Sequence, residues 1–99
     1  MSNDILIQIR DIIAQHLDMS EYRIFLYGSR AVGDYHFRSD YDIGILGSGP
    51  VERSILSNIE EDLERVPALI DLTDFSRVSD VFREEAMKDV IWIDESLKK

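Results

Sequence analysis

Cysteine is absent from this 99-residue sequence, which excludes disulfides, zinc–thiolate sites, iron–sulfur clusters and a thiol nucleophile. Histidine is scarce: His16 and His36 are the only two, too few for a multi-histidine metal site. The only loop-rich stretch is Gly47-Ser-Gly-Pro50, too short to separate two domains. Basic residues are outnumbered, 11 against 20 acidic ones, for a net charge of −9. That balance argues against sequence-independent binding to nucleic acid, which relies on Lys and Arg to neutralise phosphates, and against docking on an anionic membrane. A basic protein partner or bound divalent cations suit it better. No apolar run approaches the ~20 residues of a membrane span, and Met1-Ser-Asn-Asp lacks the basic start of a signal peptide. The expectation is a soluble cytoplasmic protein with one domain over residues 1–99, no membrane contact and no direct nucleic-acid contact.

Hydrophobic residues make up 44% of the chain, which suffices for one modest core. Ile5, Ile9, Ile12, Ile13 and Leu17 repeat at helical spacing, which predicts a helix over 2–17. Tyr22-Arg-Ile-Phe-Leu-Tyr27 is a β-rich run halted by Gly28, and Asp40-Tyr-Asp-Ile-Gly-Ile-Leu46 is bounded by Gly47; both read as strands. Pro50 suits the first turn of a helix on which Val51, Ile55, Ile59 and Leu63 step by four. Pro67 is compatible with the opening of a strand over 68–73. Ser76 is a candidate cap for a last helix carrying Val78, Val81, Phe82 and Ala86. Residues 90–93 read as either a short strand or a packed tail. The order α-β-(short helix)-β-α-β-α predicts an α/β (α+β) fold, a small mixed sheet with helices packed against it.

The chemistry concentrates between residues 28 and 42. Gly28-Ser29 ends a strand and precedes Arg30-Ala31-Val32, which can open a short helix. Outward-pointing backbone N–H groups at such a junction seat a phosphate, and Gly28 permits its close approach. Ser29 adds a hydroxyl donor. Asp40 and Asp42 are two apart on a predicted strand, so their carboxylates leave the same face, with Cα atoms roughly 6.6 Å apart by strand rise. Converging carboxylates repel unless a cation lies between them. Mg²⁺, which takes oxygen ligands from one or two carboxylates plus substrate phosphates, fits best. Two ions about 3.5–4 Å apart would need a third carboxylate. Asp71, set in the apolar run Leu69-Ile-Asp-Leu72 where an unpaired charge is costly, is the expected one. Asp74 competes for that role but has the opposite strand parity, and it could also cap the last helix.

This arrangement resembles the signature of the polymerase-beta-like nucleotidyltransferase superfamily: Gly-Ser, ten residues, Asp-x-Asp, and a third Asp on a later strand. Here Arg30 to Ser39 are the ten residues between Ser29 and Asp40. The sequence is most similar to the minimal nucleotidyltransferase (MNT) group, whose members have about this length and a Gly-Ser-Arg-Ala-x-Gly motif followed by Ser-Asp-x-Asp. The resemblance covers nearly the whole chain, and its one departure is Val32, where many members carry a second arginine. It implies a nucleotidyltransferase fold in which Gly28 and Ser29 hold the triphosphate of ATP and Asp40, Asp42 and Asp71 ligate two Mg²⁺ ions, with Arg30 a further candidate for contact with the triphosphate. It also implies a partner, since MNT proteins are commonly the antitoxin of a pair with a HEPN-domain toxin, a helical ribonuclease. Such an antitoxin transfers AMP from Mg-ATP to a tyrosine hydroxyl of the toxin, or masks the toxin by occupancy without catalysis.

Away from that segment the remaining polar and aromatic residues fit ordinary structural roles. Arg30 and Arg38 are as compatible with solvated surface positions as with triphosphate contacts, and His36 reads as an exposed loop residue. His16 is expected on the apolar stripe of the first helix. Glu60, Glu61 and Asp62 read as a wet helix face, and Ile91, Trp92 and Ile93 as core.

Overall fold

The computed structural model describes residues 4–33 and 40–94. Along the chain lie α1 (Asp4–Ala14), β1 (Tyr22–Tyr27), α2 (Ser29–Val32), β2 (Tyr41–Gly47), α3 (Arg53–Leu63), β3 (Ile70–Asp74), α4 (Asp80–Ala86) and β4 (Ile91–Trp92). The four strands form one sheet in the order β3-β2-β1-β4. β1 is antiparallel to β2 and β4, whereas β2 and β3 are parallel. A parallel pair needs a crossover rather than a tight hairpin, and α3 supplies it. The expected small mixed sheet with helices against it is therefore the observed fold.

Strand alternation sorts the side chains onto two faces. Ile24 and Leu26 of β1, with Ile43 and Ile45 of β2, pack with Leu6, Ile9 and Ile13 of α1 and Ile59 and Leu63 of α3. Phe25 and Tyr27 point the other way and join Phe75 in a second cluster, flanked by Val78, Ala86, Met87 and Trp92. Aromatic edges meet faces there: the ring centroids of Phe25 and Phe75 are 4.8 Å apart and those of Tyr27 and Phe75 are 5.1 Å apart. Gly44, in register with Phe25, makes this packing possible. A Cβ at that position would lie 2.6 Å from Phe25 Cε2 and 2.8 Å from Phe75 Cε1. Gly44→Ala is expected to destabilise the fold by ~1–3 kcal/mol through overpacking. A urea midpoint unchanged from wild type would contradict that account.

Three boundaries differ from the sequence expectation for a clear local reason, and one left open is decided. α1 ends at Ala14, and Gln15 and His16 close with tight bonds to Ile12 and Ile13 carbonyls, although Leu17 stays in the core. α3 begins at Arg53 rather than at Pro50 because Val51 is held outside the helix: its N–H donates to Asp74 Oδ2 at 2.8 Å and its carbonyl accepts from Arg77 at 3.0 Å. The cap of α4 is Ser79, whose Oγ accepts from the Phe82 N–H, while the Ser76 N–H is engaged by Asp74 Oδ1. Residues 91–92, left open by the sequence, form β4, and Arg23 fastens it by donating to Asp94 at 3.1 Å and lying 4.0 Å from the Trp92 ring centroid. Within this segment Ile93 is fully buried, but Ile91 is exposed.

Candidate active site

The sheet register sets two of the singled-out carboxylates, Asp42 and Asp71, side by side. Tyr27, the last residue of β1, is opposite Asp42 on β2, and Asp42 is opposite Asp71 on β3. In-register neighbours share a face, so Tyr27, Asp42 and Asp71 form a row across three strands. Asp40 lies just before β2 and is exposed. The ladder already begins beside it, since the Tyr41 N–H donates to the Leu69 carbonyl at 2.8 Å.

Gly28 follows Tyr27 directly with φ 78° and ψ −157°, a backbone conformation in which side-chain-bearing residues are strained. A Cβ there would collide with the Asp42 carboxylate, whose Cγ would be only 3.2 Å away. Glycine thus serves twice, once for the turn and once for the close approach of Asp42 to the main chain. The Gly28 carbonyl accepts from the Ala31 and Val32 N–H groups to open α2, and Gly33, at φ 82°, closes it. α2 is a single turn of four residues, so its dipole is a small term beside the Gly28 backbone. Arg30 lies over the Tyr41 ring, with Cζ 3.9 Å from the centroid, a cation–π contact that ties α2 to the start of β2.

The electrostatics follow from this crowding. Partial burial, then the negative charges of Asp71 and Asp40, push the Asp42 carboxyl above the usual carboxylate range. Burial, and after it the fields of Asp42 and Asp71, raise the Tyr27 phenol, partly offset by its hydrogen bond to Thr73 Oγ1 at 3.1 Å. Asp71 and Asp40 therefore both act on Asp42 at one end of the sheet. Among the described residues no three acidic or imidazole side chains are gathered into a group that could hold a metal ion. The donor set still suits a hard divalent cation: it consists of carboxylate oxygens, and a cation among them would relieve the repulsion that raises Asp42.

The burial reason for expecting Asp71 to carry a ligand does not hold. Asp71 is exposed, Leu69 beside it is 68% exposed, and β3 is an edge strand. Its register with Asp42 is what places it at the site. Asp74 is the buried carboxylate, 5% exposed, and it is spent on structure: it accepts from the N–H groups of Val51 and Ser76 and from Arg77 Nε at 3.2 Å. It caps no helix. His16 sits just beyond α1, its Nε2 2.7 Å from Asp62 Oδ2, so one of the three acidic residues assigned to a wet face joins α1 to α3. His36, Arg38 and Ser39 lie outside the described residues. Sequence reasoning missed Tyr27 and Thr73; only the strand pairing reveals that a phenol adjoins the carboxylates.

Comparison with known proteins agrees with this fold. The family model described as polymerase beta, nucleotidyltransferase matches residues 8–96. The chain belongs to that family. Its fold is shared with chains of solved toxin–antitoxin complexes. One such complex, with AMP-PNP, is matched at TM-score 0.72 and 19% identity over 94% of this chain and 73% of the other. A mutant MntA–HpeT toxin–antitoxin is matched at TM-score 0.72 and 16% identity over 94% and 72%. A third is the Shewanella oneidensis complex of a tri-AMPylated HEPN toxin with MNT antitoxin, at TM-score 0.60 and 18% identity over 87% and 69%. No curated protein matches the chain significantly. No helix among the described residues is long and apolar enough to cross a membrane.

Proposed function

We propose that this protein is a cytoplasmic antitoxin that transfers AMP from Mg-ATP to a tyrosine hydroxyl of a HEPN-domain toxin, and so neutralises it. The observation that carries the reading is the row of Asp42 and Asp71 in register, with Gly28 pressed against the Asp42 carboxylate. The family supports nucleotidyl transfer, and the AMP-PNP and tri-AMPylated complexes among the fold's neighbours support the nucleotide and the class of acceptor.

In this mechanism Gly28 and Ser29 receive the triphosphate through main-chain N–H groups and the Ser29 hydroxyl, and Arg30 flanks it. Asp40, Asp42 and Asp71 would hold two Mg²⁺ ions, which neutralise the phosphate charge and acidify the attacking hydroxyl when bound. The hydroxyl oxygen forms a bond to the α-phosphorus as the bond to pyrophosphate breaks, and the hydroxyl proton passes toward Asp71. Most of the acceleration comes from alignment and charge neutralisation, with no covalent enzyme intermediate.

The test is to incubate the protein with labelled ATP, Mg²⁺ and a cognate HEPN partner, beside an Asp40→Asn/Asp42→Asn variant. Label is expected on a partner tyrosine with the wild type and not with the variant. If neutralisation survives unchanged in the variant and no label is transferred by either protein, masking by occupancy is the function.

A further inference from the structure

A cavity of about 320 Å³ opens beside Gly28, between α2 and α4, at the lower end of the ~300–1,000 Å³ range of small-molecule sites. Its walls are mainly apolar: Tyr27 and Val32 on one side, Phe82 and Ala86 on the other. Among the described residues, Glu85 and Asp89 bring the charges, both negative. Gly28 is common to this cavity and to the carboxylate row, since it lines the one and packs against Asp42 in the other. Phe82 is 43% exposed and Val32 55% exposed, so two apolar surfaces face a space that the described residues do not fill. The Phe82 ring is nonetheless fixed from beneath, with centroids 5.6 Å from Phe75 and 6.3 Å from Tyr27.

We propose that this cavity takes the base of the nucleotide substrate, stacked on Phe82 against Val32, with Asp89 accepting from an amino group on the base. The inference rests on the nucleotidyl-transfer reading and adds to it a residue-level basis for base selection. An apolar slot with negative charge at its rim repels phosphate and favours a flat ring bearing donors. Phe82 offers a pre-set stacking surface, and aromatic stacking accepts any base by its face. Selection therefore falls to the rim. Glu85 is engaged by Lys88 at 3.3 Å, which makes Asp89 the discriminating acceptor. A carboxylate accepts from an amino group and repels the carbonyl oxygen that uracil presents instead. An amino-bearing base such as adenine is thus preferred to uracil.

Calorimetric titration of the full chain with ATP, UTP and inorganic triphosphate, each with Mg²⁺, tests this. ATP is expected to bind about tenfold tighter than UTP. Phe82→Ala should weaken ATP by roughly tenfold and leave inorganic triphosphate unchanged. Val32→Ser, at an exposed position where unfolding is no concern, should weaken ATP in the same selective way, and Asp89→Ala should close the gap between ATP and UTP. Equal binding of ATP and inorganic triphosphate, with Phe82→Ala and Val32→Ser silent, overturns the base pocket and leaves nucleotidyl transfer standing. Loss of affinity for the protein partner in those variants, with ATP binding intact, likewise overturns it and assigns the cavity to an acceptor side chain. Failure of the wild type to bind any of the three ligands overturns the nucleotidyl-transfer reading and this inference together.

Discussion

Asp42→Asn is expected to lower nucleotidyl transfer by at least ~10²-fold, the scale on which loss of one group stabilising developing charge acts, while raising the thermal stability of the metal-free protein at neutral pH. Both effects come from one crowded carboxylate. Asp42 is placed against Gly28 and between the charges of Asp40 and Asp71, and its carboxyl titrates above the ordinary range because of burial first and those two charges second. An acid whose folded-state value is raised binds its proton more tightly in the native state than in the unfolded chain. Its contribution to stability is therefore fully present below the unfolded carboxylate range near ~4 and is lost as pH rises through the raised native value. At pH 7 the wild type carries that deficit and the Asn variant does not. Melts of the two proteins with chelator should show the variant higher at pH 7 and the gap closing as pH falls toward 4. Added Mg²⁺ with nucleotide should raise the wild-type melting temperature and leave the variant unmoved. A variant less stable than wild type at pH 7 without metal, or one with unimpaired transfer, contradicts the electrostatic account of the site.

The same crowding explains what the sequence could and could not disclose. The separation of Ser29 from Asp40 and the Asp-x-Asp pair are local facts, so a candidate phosphate seat and two of the three candidate carboxylates can be singled out from sequence. The sheet and its helices were legible because Ile24 and Leu26 alternate with Phe25 and Tyr27, and because α1 and α3 carry stripes at helical spacing. What failed was whatever depends on contacts distant in the chain. Val51 is 23 residues from Asp74, and nothing at Pro50 indicates that its neighbour is held away from the helix. Ser76 and Ser79 are equally good caps by residue type, and a hydrogen bond to Asp74 decides between them. Asp71 was assigned from an apolar run that reads as buried, yet its strand is the edge of the sheet. Its partnership with Asp42 comes from β2–β3 register, which no local pattern encodes. Tyr27 reads from sequence only as the last residue of a β-rich run for the same reason.

Asp71 and Asp74, three residues apart on β3, are expected to separate function from stability. Asp74→Ala should destabilise the fold by ~1–3 kcal/mol, the cost of leaving the buried Val51 N–H without its acceptor. The substitution removes the acceptor of two backbone N–H groups, at Val51 and Ser76, and of Arg77 Nε, which is left near the Val51 carbonyl without its carboxylate. Against a total stability of ~5–15 kcal/mol for a domain of this size, that loss takes roughly 5–20 °C off the melting temperature. The urea midpoint should fall with the slope unchanged, since the surface exposed on unfolding stays the same. Asp71→Asn changes an exposed side chain and should alter stability by no more than ~0.5 kcal/mol, yet abolish transfer to the acceptor hydroxyl. The two residues thus predict opposite outcomes in the same pair of assays. If Asp74→Ala melted like the wild type, the buried carboxylate would not be what holds the Val51 loop to the end of β3. If Asp71→Asn transferred AMP at the wild-type rate, the alignment of the two strands would be incidental to the chemistry.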